Sequence, residues 1–247
     1  MKQMLCIAVA VFCVFLCSNN AEAIIGVPAA SGERRLTVSV EADFLKSTYA
    51  DEDQNEVAVE GENFLVGLRY GLFDSVDLFA KIGLANYWSH EAQVFIKKGF
   101  GTDDAPAYAA GVKARLATLG GWRLGAVAQA YTHSGRQEEQ AGTWSGTLDL
   151  ALTSYTLAIG AVNDSPDKLK PYFGLHYSRL EGRAEVEHGF SGSSTFAPVS
   201  VDVDFEAADE LGAFAGVQYK FTDNFHLELE ARFVSEESFG LLLGYTF

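Results

Sequence analysis

The feature that most constrains this chain is an alternation of apolar and polar residues with a period of two. It is clearest in the stretch 237–247, where one face carries Phe239, Leu241, Leu243, Tyr245 and Phe247. The opposite face carries Ser238, Gly240, Leu242, Gly244 and Thr246. Successive side chains of a β-strand point to opposite sides, so the pattern predicts a strand with one apolar face.

The same alternation recurs along the chain in ten segments: 35–45, 63–72, 76–88, 108–116, 122–133, 147–162, 173–178, 210–221, 225–233 and 237–247. Short connections follow the second, fourth, sixth and eighth segments, and long ones follow the first, third, fifth and seventh. This order is typical of the periplasmic turns and outer loops of membrane β-barrels. The connection after the ninth segment, 234–237, is short where a long one is expected.

In the sixth segment Leu148, Leu150 and Leu152 are out of phase with Tyr155, Leu157 and Ile159, which predicts a β-bulge near Thr153 and Ser154.

Aromatic residues of the apolar faces fall at the two ends of these segments, with Leu, Val, Ile and Ala between them. This arrangement indicates an apolar band between two membrane girdles, formed among others by Tyr70, Trp88, Trp122, Phe173, Tyr219, Phe225 and Tyr245. The other face holds Gly, Ser, Thr and charged residues. We therefore predict an all-β, antiparallel, up-and-down transmembrane β-barrel of ten strands, with eight strands as the alternative. A soluble periplasmic β-domain is the competing interpretation.

The final strand, which ends on Phe247, resembles the closing strand of bacterial outer-membrane β-barrels, in which the last aromatic residue is an assembly signal. From residue 24 onward the pattern is similar to the small outer-membrane barrel class that includes OmpA-, OmpX- and Opa-like proteins. This resemblance implies a monomer in the outer membrane of a Gram-negative cell, without a cofactor. It also implies that the partners are membrane lipid, lipopolysaccharide, periplasmic chaperones and the barrel assembly machinery.

The amino-terminal residues have the features of an export signal. Lys2 precedes an apolar run from Met4 to Cys17, and Ala21-Glu22-Ala23 matches a cleavage site. We expect a signal peptide over 1–23, a periplasmic segment over 24–34 and the barrel domain over 35–247. All three cysteines lie in the signal peptide, and a lipoprotein site at Cys17 lacks the small residue that should precede it. The net charge of −15 disfavours nucleic acid as a partner.

Charged residues of both signs are expected on the inner faces of neighbouring strands. They are Glu41, Asp43, Arg69, Asp77, Lys81, Lys113, Arg115, Arg123, Asp149, Glu210, Lys220, Glu228, Glu230 and Arg232. Because unpaired buried charge is costly, the set predicts ion pairs across the lumen. Inward glycines fit a crowded interior, and ten strands leave little space for water. We expect a structural or surface-interaction role with a plugged or narrow lumen. The alternative is a narrow, porin-like channel for ions or small solutes.

One short string suggests catalysis. His176-Tyr177-Ser178 is similar to the H-x-S motif of outer-membrane lipid A deacylases, in which a His activates a Ser on the same strand face. Arg179 and Leu180 depart from that family's pattern, so a lipid A-modifying hydrolase ranks third and we expect no enzyme. Ten strands also resemble the omptin proteases, for which the candidate residues are His133, His188, Asp202 and Asp204.

Two acidic stretches suggest cation binding. Asp51, Asp53, Asn55 and Glu62 have calcium-loop spacing, but Glu56 stands where a glycine is required, so a solvated loop is the simpler interpretation. Asp202, Asp204 and Glu206 are expected to face inward on an extension of the eighth strand and to share divalent cations with lipopolysaccharide. The connections 89–105 and 185–210 are the expected surfaces for outside partners.

Overall fold

The computed structural model describes residues 24–30, 32–51, 56–89, 100–141, 144–165, 167–190, 199–207, 210–234 and 236–247. No helix in these ranges is long and apolar enough to cross a membrane. The strands are β1 (Leu36–Asp51), β2 (Glu56–Phe73), β3 (Val76–Ser89), β4 (Phe100–Gly101), β5 (Ala105–Leu119), β6 (Trp122–Ala141), β7 (Trp144–Asn163), β8 (Leu169–Phe190), β9 (Val199–Ala207), β10 (Leu211–Lys220), β11 (Phe225–Phe233) and β12 (Glu237–Thr246).

The strands form a closed antiparallel sheet. Each long strand pairs with the next along the chain, β10 pairs with β8, and β12 pairs with β1 to complete the ring. Ten strands build the wall, and β4 and β9 are short additional strands. This arrangement confirms the predicted ten-stranded, up-and-down barrel, and the eight-stranded alternative is wrong.

Tight turns join the strand pairs at one end of the barrel, which we call the turn end. They lie between β2 and β3, β5 and β6, β7 and β8, and β10 and β11, as the sequence predicts. Gly120 and Gly121, which connect β5 to β6, both have positive φ angles of 56° and 84°. Glycine adopts such angles without strain, so the turn can contain two residues. We call the opposite end of the barrel the loop end.

The apolar faces point outward over the half of the barrel nearer the turn end. Val40, Val66, Ile82 and Ile159 are each more than half exposed there, whereas the neighbouring Glu41 and Asp77 are buried in the lumen. A protein in water would hide the first group and expose the second. The opposite distribution is the one that lipid requires of a barrel wall.

Toward the loop end the two faces exchange character. Leu148, Leu150 and Leu152 of β7 are buried in the lumen, while Asp149 between them points outward. β7 pairs with β6 and β8 from residue 144 to 163 without a register shift, so the predicted β-bulge near Thr153 and Ser154 is wrong. The apolar residues change sides because the strand leaves the lipid and enters water, which reverses the preferred face.

An apolar cluster fills the lumen at the loop end, and we call it the loop-end cluster. It consists of Leu45, Val59, Leu65, Ala85, Tyr87, Ala107, Ala109, Tyr131, Leu148, Leu150, Leu152, Leu180, Ala184 and Val186, with Phe205 packed against it. The outer surface at the same level is charged. Arg183 binds Asp202 there, and Arg136 lies 3.8 Å from Asp149. The barrel therefore continues beyond the apolar band as a water-exposed extension.

Strand β9 explains the short connection 234–237. It pairs with β8 through residues 181–188 and with β1 through residues 49–51, above the β11–β12 hairpin. At this level β9 links β8 to β1. Nearer the turn end, β10, β11 and β12 form this link. The hairpin can therefore turn early, beneath β9.

Besides Asp149, four acidic residues expected to face the lumen do not. Asp202, Asp204 and Glu206 of β9 are exposed, because Val203 and Phe205 occupy the inner face of that strand. Glu210 is also exposed, next to the outward-facing Tyr177. All four lie in or next to the water-exposed extension, where the polar face is the outer one.

Candidate functional site in the barrel lumen

Residues 24–30 lie inside the lumen rather than on the periplasmic side, which corrects the predicted location of the segment 24–34. All seven are buried, and Ile25 and Ala30 are each 1% exposed. The chain runs from Ala30, near the turn end, to Ile24, about halfway along the barrel. We call residues 24–30 the lumen segment.

Three carboxylates of the wall bind the backbone of the lumen segment. The amide of Ile24 donates to Glu41 at 2.6 Å, and those of Ile25 and Gly26 donate to the two oxygens of Glu230 at 3.0 and 2.8 Å. The amide of Val27 donates to Glu228 at 3.1 Å. Four successive amides therefore have charged acceptors, which form stronger hydrogen bonds than neutral groups do.

Two lysines bind the carbonyl groups of the same segment. Lys81 Nζ donates to the carbonyl of Ile24 at 2.9 Å and lies 2.7 Å from Glu41. Lys113 Nζ donates to the carbonyls of Ile25 and Val27 at 2.6 and 3.2 Å. Since the lumen segment pairs with none of the described strands, these bonds replace the ladder that a strand would provide.

Inward glycines of the wall make room for the lumen segment. A Cβ atom on Gly125 would lie 1.7 Å from the carbonyl oxygen of Pro28, and one on Gly240 would lie 2.2 Å from Cγ1 of Ile24. Both distances are far below van der Waals contact. The crowded interior that the glycines predicted is thus occupied in part by the chain itself.

A charged layer centred on Arg232 lies beyond Ile24, toward the loop end. Arg232 donates to Asp43 at 2.6 Å and to the hydroxyl of Ser238 at 2.6 Å, and it lies 3.1 Å from Glu236. All four residues are buried. The loop-end cluster follows. Within it the hydroxyl of Tyr87 donates to that of Tyr131 at 2.8 Å, and Tyr131 donates to the side-chain carbonyl of the neighbouring Asn63 at 2.9 Å.

A small cavity of about 90 Å³ remains at the turn end. It is lined by Arg35, Arg69, Arg123, Lys220 and Asp223, among others, and by Ala29 and Ala30 of the lumen segment. Arg123 pairs with Asp164 at 2.9 Å, and Lys170 lies 3.7 Å from the same carboxylate. The turn-end mouth is therefore cationic although the whole chain is acidic.

Most of the charged residues expected in the lumen lie there. Glu41, Asp43, Asp77, Lys113, Glu228, Glu230 and Arg232 are buried, and Arg69, Lys81, Arg123 and Lys220 are half-buried. Arg115 is half-buried beside the turn between β2 and β3, where its amide donates to the carbonyl of Ser75. Asp149 and Glu210 are exceptions because they face outward. A segment inside the lumen was not among the predictions. The seven uncharged residues that directly follow the cleavage site could have indicated one.

Residues considered for catalysis are not assembled into a site. His176 and Ser178 face the lumen, and neither ring nitrogen of His176 has a hydrogen-bond partner in the described part of the chain. Ser178 lies 3.4 Å from the hydroxyl of Thr156. For the omptin-like set, His133 is buried inside while Asp202 and Asp204 point outside, and the side chain of His188 lies outside the described residues.

The calcium-loop residues are mostly outside the described part of the chain. The residues outside the described part are Asp53, Asn55 and, for its side chain, Asp51. Glu62 is described and lies on the outer face of β2. Among the residues that are described, no group of three or more His, Cys, Asp or Glu could hold a metal ion.

The predicted girdle residues all lie on the outer face. Tyr70, Phe173, Tyr219, Phe225 and Tyr245 are exposed, and Trp88 and Trp122 are half-buried. At the turn end they form ring contacts, with centroid distances of 5.5 Å for Trp122 and Phe173 and 5.1 Å for Phe221 and Phe225. Phe247 is 70% exposed and lies 4.9 Å from Tyr245.

Comparison with known proteins gives a consistent picture. Residues 118–239 match the family described as Opacity family porin protein. The outer membrane protease OmpT from Escherichia coli is 10% identical with a TM-score of 0.53, over 92% of this chain and 99% of that one. The β-domain of the Bordetella autotransporter BrkA is 12% identical with a TM-score of 0.46, over 87% and 100%. The Yersinia pestis attachment invasion locus protein Ail is 13% identical with a TM-score of 0.33, over 87% and 99%. No curated protein matches the sequence.

The fold, the outward apolar band and the family match define the class of this protein. The chain is a small outer-membrane β-barrel protein, and it lies in the bacterial outer membrane. Within that class, its sequence between residues 118 and 239 is similar to the Opacity family porin proteins. The likeness to OmpT extends to the fold alone, because the identity is low.

Proposed function

We propose that this protein is a surface scaffold whose lumen is plugged by its own residues 24–30. The observation that carries the proposal is the set of bonds from Glu41, Glu228 and Glu230 to four successive amides of the lumen segment. The Arg232 layer and the loop-end cluster add two further obstructions to flow. A barrel closed at three levels suits a structural or surface-interaction role.

The surfaces for outside partners are expected at the loop end. Within the expected binding connections 89–105 and 185–210, the described residues 185–190 and 199–207 belong to strands β8 and β9 of the water-exposed extension, and rigid strands commonly present the loops between them for binding. The charged outer surface of the extension, which includes Arg136, Arg183 and Asp202, is suited to contacts with lipopolysaccharide head groups. The barrel assembly machinery and periplasmic chaperones are the expected partners during assembly, and we expect the assembled barrel to be a monomer.

Conductance in planar lipid bilayers tests the plug. We expect the processed wild-type barrel to show no stable current steps. A variant that lacks residues 24–30 but keeps Ala21-Glu22-Ala23 should conduct once the other two levels are opened as well, by Arg232→Ala and Tyr87→Ala, whereas the same two substitutions with residues 24–30 in place should stay silent. Ala126→Val, which adds volume on the outer face of β6, is the control. Stable steps in wild type would favour the alternative, a narrow porin-like channel.

A role in catalysis is not part of this proposal. His176 and Ser178 face the interior of the barrel, away from a lipid substrate. Mass spectrometry of lipid A from cells with and without the protein checks this point. Loss of an acyl chain that depends on Ser178 would contradict the proposal in favour of a lipid A-modifying hydrolase.

A further inference from the structure

The backbone nitrogen of Ile24 occupies an unusual position for a peptide amide. It lies 2.6 Å from Glu41 Oε1, and Ile24 is 2% exposed. Its acceptor is a carboxylate, so the bond is charge-assisted whether the nitrogen belongs to an amide or to an ammonium group, and a full positive charge on the nitrogen would strengthen it further. Hydrolysis of the Ala23–Ile24 peptide bond, as the sequence predicts, would leave a carboxylate on Ala23 and an α-ammonium group on Ile24. The cation would form at a buried carboxylate.

The charges around the lumen segment favour one more cation. Six buried carboxylates surround or adjoin it, namely Glu41, Asp43, Asp77, Glu228, Glu230 and Glu236. Four bases pair with or adjoin them, namely Arg69, Lys81, Lys113 and Arg232. With the buried His226, 3.4 Å from Glu228, in its neutral form, these groups leave a net charge of minus two in a region away from water, where unbalanced charge is costly. An α-ammonium group on Ile24 would halve the imbalance.

The space beyond Ile24 is already occupied. Asp43 lies two residues past Glu41 on β1 and binds Arg232, and the buried Leu45 and Leu65 of the loop-end cluster come next. A leader joined to Ile24 would have to pass through these packed residues. The arrangement suits a segment that ends at Ile24.

We infer that the lumen contains a binding site for the α-ammonium group of processed Ile24, in which Glu41 is the counter-ion. The site makes closure of the lumen depend on removal of the signal peptide. Lys81 shares the second oxygen of Glu41, and Glu230 and Glu228 align the three residues that follow. This inference rests on the proposed plug, and it adds the chemical group that the plug presents.

Chemical labelling of the α-amine tests the site. The exported, processed full chain is treated with a small amount of acetic anhydride at about pH 8, near the ordinary pKa of an α-amino group. Mass spectrometry of the amino-terminal peptide gives the rate of acetylation. We expect Ile24 to react at least about tenfold more slowly in the folded barrel than in the urea-unfolded chain, because the amine is both shielded from the reagent and held in its charged form by Glu41. Glu41→Gln should lose most of this protection.

The control is Glu62→Gln, which makes the same chemical change on the outer face of β2 and should leave the protection intact. A mature chain that begins elsewhere than Ile24, or a folded Ile24 amine that reacts as fast as the unfolded one, would overturn the inference. The proposed plug would survive that result if wild type stayed silent in bilayers. If Glu41→Gln does not fold, Glu41→Asp takes its place, and a rate equal to that of wild type would count against Glu41 as the counter-ion because the shorter carboxylate cannot reach the amine as closely.

Discussion

At the scale of single residues, Arg232 shows how the lumen tolerates buried charge. Its guanidinium group contacts Asp43 and Glu236 at 2.6 and 3.1 Å and lies 3.8 Å from Glu230. The three partners lie on separate parts of the chain: Asp43 on β1, Glu230 on β11 and Glu236 directly before β12. The sequence predicted the inward direction of these charges, but the distances depend on how the ring closes.

Removing one member of this group should be more harmful than removing two. In Arg232→Met the buried Asp43 carboxylate loses its partner, so we expect a loss of about 3–5 kcal/mol in the free energy of unfolding. The double variant with Asp43→Asn should recover part of it. Tryptophan fluorescence during urea unfolding in lipid vesicles measures the free energy of unfolding of the single and the double variant. Arg183→Met, which breaks the exposed pair with Asp202, should cost about 1 kcal/mol or less, and an equal loss for both arginines would contradict this account.

A single methyl group should displace the lumen segment. Gly125→Ala places a Cβ atom against the carbonyl oxygen of Pro28, and the backbone of the wall cannot move away easily. We expect a loss of about 1–3 kcal/mol in the free energy of unfolding, as in other overpacked interiors. Added protease should also cut near Pro28 more readily. Ala126→Val, the outward neighbour, is the control, and identical behaviour of the two variants would argue against tight packing of the segment.

At the scale of elements, β7 is one strand in two surroundings. Near the turn end Leu157 and Ile159 point outward, and near the loop end Leu148 and Leu150 point inward. The change of phase predicts a bulge if the whole strand is surrounded by lipid. A continuous strand that leaves the membrane produces the same pattern without any irregularity in pairing.

Lysine substitutions along β7 should separate the two surroundings. Leu150→Lys puts a charge in the loop-end cluster, so protease added outside the cell should cut the extension while the membrane portion still inserts. Ile159→Lys faces lipid and should destabilise the inserted barrel by about 2–4 kcal/mol if it lies near the membrane midplane. Asp149→Lys faces water and should be tolerated. Heat-dependent mobility in gels measures insertion of the barrel, and surface proteolysis measures cleavage of the extension. If protease cut Asp149→Lys as readily as Leu150→Lys, the reversal of faces would be refuted.

At the scale of the whole molecule, closure depends on the seam between β1 and β12. Ten residue pairs join these strands, and the amide of Phe247 donates to the carbonyl of Leu36 at 2.8 Å. The lumen segment contacts both sides of the seam, through Glu41 on β1 and Gly240 on β12. The first described residues of the chain and the last ones therefore stabilise the same part of the barrel.

Deleting Phe247 should impair assembly. The deletion removes the rim contact with Tyr245, the bond to Leu36 and the aromatic end that resembles the assembly signal of this class. We expect less heat-modifiable barrel in the outer membrane fraction of cells. Phe221→Ala removes an exposed rim aromatic at another turn-end position and should assemble normally. Normal amounts of the Phe247 deletion variant would count against an assembly role.

The sequence by itself determined the strands, the turn end and the lipid-facing band, because each depends on local alternation that any barrel wall must obey. It also predicted the inward direction of Glu41, Glu228 and Glu230. Only the tertiary structure decided what those carboxylates bind, since their partners are amides 17 to more than 200 residues away. It also decided which face of β7 and β9 meets water, because that depends on where the membrane ends along each strand. The seven uncharged residues 24–30 mark the segment in the sequence, but its bonds to the wall leave no periodic pattern and appear only once the ring is closed around it.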